Sequence, residues 1–92
     1  MKHEVAVFMH RVLAAYAGFL EKIDVDVTWG VEWEQTRKIA ILRINCDPGL
    51  SYIHCIDMYL CTKYAGGDEW LNGSIRMFVL SFLHARSIAL VG

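Results

Sequence analysis

The residues with the greatest capacity for chemistry lie near the middle of the chain, where one histidine is close to three cysteines. His54, Cys55 and Cys61 follow one another closely, and Cys46 precedes them. Cysteine and histidine are the usual zinc ligands. In the extended chain expected here, however, adjacent residues point to opposite faces, so His54 and Cys55 would not share an ion. The spacing therefore predicts structural cysteines, with no metal ion and no other cofactor.

Nucleophilic catalysis is the second chemistry that these residue types could support. A cysteine nucleophile needs a histidine base within about 3 Å and a third group that orients the base. No local motif places such groups together, and the sequence has no phosphate-binding glycine loop and no serine-centred elbow. We therefore expect a protein without catalytic activity. The alternative is a subunit of a homo-oligomeric enzyme or small-molecule-binding protein, with a site between protomers formed by residues such as His54, Asp57 and Tyr59.

Acidic residues recur in and just before the segment VDVTWGVEWE, residues 25–34, in which apolar and polar residues alternate. This alternation predicts a strand with its apolar side chains buried under helices. Same-face neighbours on a strand are about 6.6 Å apart, which is close to the spacing of phosphates in nucleic acids. An acidic row could therefore occupy a basic groove of a partner, and its members would be Asp24, Asp26, Glu32 and Glu34. Alternatively, these carboxylates pair across the hairpin with Arg37, Lys38 or Arg43.

Two adjacent basic residues, Arg37 and Lys38, follow this segment at the expected tip of a hairpin. They could make a local contact with nucleic acid. The formal net charge of the chain is only −1. Because binding to the nucleic-acid backbone normally needs a basic surplus, any such contact would be confined to these two residues.

The last helix has apolar residues on the side that should face solvent. At helical spacing, that side collects Arg76, Met77, Leu80, Leu83, His84 and Ser87. Three large apolar side chains on an outer face indicate that something covers them. The first helix or the C-terminal segment could do so, and a partner or a second copy of the chain could do so equally well.

Five elements can be derived from the sequence periodicity. Apolar residues at three- and four-residue steps predict a helix over residues 4–22, and period-two patterns predict strands in 25–34 and 38–45. Pro48 and Gly49 suit a type II turn, in which the second residue adopts positive φ. A third strand is predicted over 51–61, and a final helix is predicted after Asp68, which can cap it.

This order, α-β-β-β-α, predicts an α+β fold in which two helices pack on one face of a three-stranded antiparallel sheet. In the alternative, residues 51–65 are helical and the fold is a β-hairpin with three helices. Either way, residues 1–92 form a single compact domain. The predicted order is similar to that of double-stranded-RNA-binding domains. Their last helix begins with lysines, whereas this one begins with Asp68 and Glu69, so RNA binding of that kind is not expected.

Composition narrows the class of protein further. The 92 residues are 55% hydrophobic, and a domain so small is marginally stable alone, so a partner is often required. The odd number of cysteines favours a reducing, cytoplasmic compartment, and no apolar run is long enough to span a membrane. We expect a small protein that occupies a surface of a larger protein or protein–nucleic-acid assembly, similar in character to phage inhibitors of host machinery such as anti-CRISPR proteins. The sequence leaves open whether it is a monomer or a dimer.

Overall fold

The structure is a three-stranded antiparallel sheet with helices before and after it in the chain. It is a computed structural model, which describes residues 3–23, 27–46, 49–63 and 67–91. The elements are α1 (His3–Leu20), β1 (Thr28–Glu34), β2 (Ile39–Cys46), β3 (Leu50–Asp57), α2 (Met58–Lys63) and α3 (Gly67–Val91). The predicted α+β fold is therefore confirmed, with the short helix α2 as an addition.

Helix α1 forms where the apolar residues recur at three- and four-residue steps. The residues that it buries are Val5, Phe8, Val12, Tyr16 and Leu20. They form one stripe along the helix and belong to, or adjoin, a core that also receives side chains from the sheet and from α3. The helix ends at Leu20, two residues before the predicted end at residue 22. After it, the amides of Lys22 and Ile23 donate hydrogen bonds to the carbonyls of Phe19 and Leu20, respectively.

The central strand β2 contributes alternate residues to the core. Ala40, Leu42, Ile44 and Cys46 are all buried. In the β1 register, Trp29 lies opposite Ile44, Val31 opposite Leu42 and Trp33 opposite Ala40. Because directly opposite residues share a face, both tryptophans are on the helix-covered side, as predicted.

Neither tryptophan is fully buried, however, because β1 is at the edge of the sheet. Trp29 is 39% exposed and Trp33 is half-buried. Both pack edge-on against rings of α1: Phe8 contacts Trp33 at a centroid distance of 6.0 Å, and Tyr16 contacts Trp29 at 5.2 Å. Helix α1 therefore lies over β1.

Helix α3 makes the equivalent contacts with β3. Phe82 packs edge-on against Tyr52 at 5.2 Å, and Phe78 stacks on His54 at the same centroid distance. The strands turn between β2 and β3 at Gly49, whose φ of 87° agrees with the predicted positive value, while Pro48 lies outside the described residues.

The third strand is shorter than predicted. It ends at Asp57, whose Oδ1 accepts a hydrogen bond of 3.1 Å from the amide of Leu60 and so caps α2. The predicted strand over 51–61 is therefore correct to Asp57, and the helical alternative is correct only for 58–63. Asp68 lies within the first turn of α3 and not at its cap position, because α3 begins at Gly67. Its carboxylate instead pairs with Arg11 of α1, with the Arg11 Nε at 2.8 Å.

Candidate functional site

The acidic residues of the hairpin that the structure describes are both paired with arginines. Glu32 on β1 accepts a hydrogen bond of 3.1 Å from Arg43 on β2. Glu34 is held by two hydrogen bonds from Arg37, of 2.8 and 2.5 Å. These hydrogen bonds lower the pKa of the Glu34 carboxyl below its usual value.

The sequence offered these pairings with Arg43 and Arg37 as an alternative to a free acidic row, and of the two only the Glu32–Arg43 pair crosses the hairpin. Asp24 and Asp26, the other two members of that row, lie outside the described residues. The described part of the row therefore presents internally balanced charge at the surface.

The basic tip of the hairpin has a structural role as well as charge. Lys38 adopts the left-handed conformation, with φ of 55°, and its carbonyl accepts a 3.1 Å hydrogen bond from the amide of Met58. The turn thus holds the first residue of α2. Arg37 is engaged by Glu34, so its charge is already partly offset, whereas the Lys38 side chain is exposed.

Of the six residues that the sequence placed on the outer side of α3, four are exposed, including His84, and the side chain of Ser87 lies outside the described residues. Arg76 is exposed, Met77 is 64% exposed and Leu80 is 52% exposed. Leu83, by contrast, is only partly exposed and packs against the core. We define the α3 outer surface as Arg76, Met77 and Leu80. Among the described residues, nothing covers its two apolar side chains.

A groove with a volume of about 640 Å³ lies between α3 and His54 of the edge strand β3. We call it the β3 groove, and its lining residues are His54, Glu69, Trp70, Gly73, Ser74, Met77, Phe78 and Ser81. The α3 members recur at three- and four-residue steps and form one flank of the helix. Most of its exposed surface is apolar and includes Trp70, Met77 and Phe78, and its polar groups come from His54, Glu69, Ser74 and Ser81.

His54 is the one residue of β3 among those that line this groove. Its Nε2 lies 2.8 Å from the hydroxyl oxygen of Ser74, and its ring stacks on Phe78. Burial lowers the pKa of the His54 imidazole below its usual value, so the ring is neutral at neutral pH.

A histidine bonded to a serine hydroxyl is one element of nucleophilic catalysis. Ser74 lies in the middle of α3, where the neighbouring backbone amides are engaged in helical hydrogen bonds. They are therefore not free to stabilise an oxyanion, and within the described residues no carboxylate is bonded to His54. The geometry favours a binding group over a nucleophile.

The other residues singled out by the sequence are dispersed. His54 faces the helices, whereas Cys55 and Asp57 lie on the opposite face of β3. Asp57 is occupied in capping α2, and Tyr59 is on α2 itself. His54 and Asp57 therefore do not converge within one protomer.

The cysteines also have different environments. Cys46 and Cys61 are buried in the core, and Cys55 is exposed. Burial raises the pKa of the Cys61 thiol. Across the described ranges, no cluster of three or more histidine, cysteine, aspartate or glutamate side chains could hold a metal ion.

Sequence reasoning missed Ser74 and Trp70 as groove residues. Their spacing with Phe78, in steps of four, was a usable signal because it places all three on neighbouring parts of one helical flank. The exposed apolar residues on the outer side of α3 are the more conspicuous pattern in the sequence. The pairing of Ser74 with His54 depends on contacts between distant parts of the chain.

The chain matches no protein-family model, and neither a curated protein nor a solved structure matches it significantly. Of the helices in the described part of the chain, none combines the length and the apolar character needed to cross a bilayer.

Proposed function

We propose that this protein has no catalytic activity and binds to a surface of a larger protein or protein–nucleic-acid assembly, blocking the use of that surface. The observation that carries this proposal is the α3 outer surface, on which Met77 and Leu80 are 64% and 52% exposed. Exposed apolar residues grouped on one helix are typical of sites where a partner docks.

The pairing of surface charges favours the α3 outer surface, and not the acidic row, as the interface with a partner. Glu32 and Glu34 are already paired with Arg43 and Arg37, so a basic partner would have to compete with those arginines. A partner that binds the apolar side chains of the α3 outer surface would not have to displace an ion pair. Arg76, which is exposed beside them, supplies a residue type that is enriched at interface hot spots.

Nucleic acid has a smaller role in this proposal. At the hairpin tip, Lys38 is exposed but Arg37 is bonded to Glu34. One exposed lysine with one partly neutralised arginine gives little attraction to a phosphate backbone. A nucleic acid bound to the partner assembly could contact this tip, but the main interface would be with protein. Such a mode of action suits a phage-type inhibitor of host machinery, including one of anti-CRISPR character, acting in the cytoplasm.

A matched pair of variants tests the proposal. Leu80→Asp places a charge on the α3 outer surface, and Leu13→Asp places the same charge on α1, where Leu13 is exposed to a similar extent at 46%. Partners captured by the wild-type protein from host extract would be purified, and the Kd of each variant would be measured. We expect Leu80→Asp to weaken binding at least ~10-fold, as for a hot-spot residue, and Leu13→Asp to leave the Kd unchanged.

The salt response provides an independent measurement. Ions at 0.15 M screen charges beyond about 8 Å and leave apolar contacts largely unaffected. We therefore expect the Kd to change little with ionic strength. Equal binding by both leucine variants, or a Kd that rises steeply with salt, would show that the interface lies elsewhere.

The β3 groove supports a second candidate, a small-molecule-binding protein. The observation that favours it is the bonded pair of polar groups, His54 and Ser74, in a groove that also contains Trp70 and Phe78. A thermal-shift screen of metabolites would test it. A compound that raises the Tm of the wild type and not of Ser74→Ala, or that is turned over, would favour this candidate over the binding of a protein partner.

A further inference from the structure

The two edges of the sheet are protected to very different degrees. β1 and β3 each pair with β2 alone, and no other strand of the described chain pairs with either. A free edge presents unpaired backbone amides and carbonyls, which natural proteins usually protect with charged side chains. β1 carries Glu32 and Glu34, whereas β3 carries only Asp57, at its last position. The edge of β3 is therefore an eight-residue template with almost no charge.

Apolar side chains lie on both sides of this unprotected edge. On the face of the sheet that the helices leave uncovered, Ile53 is 56% exposed. On the helix side lies the β3 groove, with Trp70, Met77 and Phe78 in its lining. A strand added along β3 would satisfy the backbone groups and would at the same time cover apolar side chains on both faces.

We propose that this strand is β3 of a second copy of the chain, so that two protomers form one continuous antiparallel sheet across a two-fold axis. Such an interface requires a patch that is complementary to itself. β3 meets this requirement because its residues before Asp57 carry no charge, so antiparallel pairing brings no like charges together.

The position of Asp57 selects the register. Its carboxylate is already engaged with the amide of Leu60, at 3.1 Å, so the paired segment ends before it. The remaining segment, residues 50–56, is centred on Ile53. Ile53 then lies opposite its own copy at the two-fold axis, Cys55 lies opposite Ser51 of the second copy, and His54 lies opposite Tyr52.

This dimer does not depend on the proposed function. Met77 belongs to both the α3 outer surface and the β3 groove, but Leu80 is not among the residues that line the groove. Leu80→Asp and a substitution on the edge of β3 can therefore test the two proposals separately. In the dimer Arg76 and Leu80, which do not line the groove, would each be present twice.

Molar mass in solution is the first measurement. Sedimentation equilibrium from micromolar to near-millimolar protein should give the mass of two chains. Ile53→Lys, which would place two lysines against each other at the axis, should give the mass of one chain. The matched control is Thr28→Lys, an exposed position on the other edge strand, which should remain a dimer. Because Ile53 is largely exposed, its substitution leaves the core intact, and circular dichroism of each variant verifies this.

Disulfide formation tests the register. Directly opposite residues in antiparallel strands have Cα atoms about 4.5–5.5 Å apart, within the range of a disulfide. Ser51→Cys should therefore cross-link to the native Cys55 of the second copy under a mild oxidant such as diamide, giving a dimer on non-reducing gels. Thr28→Cys should give none.

Each contrary outcome has a definite meaning. A monomer at every concentration would overturn the proposal, as would a dimer that Leu80→Asp dissociates and Ile53→Lys does not. A dimer that Ile53→Lys dissociates, but in which Ser51→Cys forms no cross-link, would overturn the proposed register. A monomer that gains mass only with another protein's extended segment would assign the edge to a different occupant.

Discussion

The α1–β1 side and the α3–β3 side of the molecule share the same aromatic packing, but the exposed edges of their strands differ. On each side, two rings of the helix contact two rings of the edge strand. At β1, however, the edge carries charged residues that are paired with arginines, and the indole nitrogen of Trp33 donates to Gln35. At β3 the edge is almost uncharged, and a groove remains beside it. Aromatic packing therefore stabilises both sides, but only one of them presents a surface suited to a partner.

The largest effect is expected from the α3–β3 side, at Phe82. This residue is 1% exposed, and its ring packs edge-on against Tyr52. Truncation in Phe82→Ala leaves a cavity in the core, so we expect a loss of about 3–5 kcal/mol in the free energy of unfolding, measured by urea denaturation. A loss below about 1 kcal/mol would be typical of a surface residue and would contradict the packing of α3 on β3.

The equivalent truncation on the other side should have a smaller effect. Trp33 contacts Phe8 but is only half-buried, because it lies on an edge strand. We expect Trp33→Ala to cost about 2 kcal/mol, below the usual range for a fully buried aromatic residue. The same urea titration gives both values. If the loss equalled or exceeded that of Phe82→Ala, the α1–β1 side would be the main source of stability and the comparison would be reversed.

The two tryptophans of β1 also show how far the sequence could predict the fold. The alternation from residue 25 to residue 34 placed Trp29 and Trp33 on the helix side correctly, because a period of two assigns faces without knowledge of the neighbours. The alternation overestimated the burial of both tryptophans, because it does not reveal that β1 is an edge strand. The position of a strand within a sheet depends on long-range pairing. The end of β3 was missed for a related reason: Asp57 caps a helix whose first amide is held by Lys38, a residue distant in sequence.

A single hydroxyl group tests the contact between α1 and the central strand. Tyr16 is fully buried, and its hydroxyl donates a hydrogen bond of 2.8 Å to the carbonyl of Arg43. Burial raises the pKa of the Tyr16 phenol well above its usual value, so it remains a donor at any physiological pH. Tyr16→Phe preserves the ring and removes the bond, and we expect a loss of about 1 kcal/mol in the free energy of unfolding. An unchanged stability would show that the bond contributes nothing net.

His54, which lines the β3 groove, should make the free energy of unfolding depend on pH. In the folded protein its neighbours are the Ser74 hydroxyl and the Phe78 ring, and burial lowers its pKa below the ordinary value. Well above about pH 6.5, the ordinary pKa of histidine, the imidazole is neutral in both states and this contribution to stability is complete. As pH falls below that value, the unfolded chain binds a proton that the folded chain resists, so stability declines until the folded pKa is also passed.

Urea titrations at a series of pH values between about 8 and about 5 would measure this decline. His54→Gln should flatten that part of the profile, because glutamine does not titrate. If the variant and the wild type lost the same stability on acidification, or if acid stabilised the wild type, His54 would not be desolvated in the folded state.

The candidate surfaces were predicted less completely than the fold. Helical periodicity is enough to place Met77 and Leu80 on an outer surface, and the structure agrees. The same periodicity misplaced Leu83, because the core extends further around α3 there than an ideal helical wheel indicates. Whether Glu32 was free or paired could not be decided from the sequence, since its pairing with Arg43 depends on the register of β1 against β2. The pairing of Glu34 depends on the conformation of the turn that carries Arg37.

The smallest effect is expected for the charge pairs that distinguish the β1 side. Arg43 and Glu32 are joined by a 3.1 Å contact, and their side chains are 40% and 61% exposed. At that exposure, water screens the attraction, so a double-mutant cycle of Arg43→Gln and Glu32→Gln should give a coupling energy of about 0.5 kcal/mol or less. Raising the salt concentration to about 1 M shortens the screening length to about 3 Å and should reduce the coupling further. A coupling well above 1 kcal/mol that did not respond to salt would mean that this pair stabilises the hairpin substantially. The contribution of the pair would then be to the fold itself, whereas a weak, salt-sensitive coupling fits its proposed role of balancing charge and protecting the β1 edge, in contrast to the edge of β3.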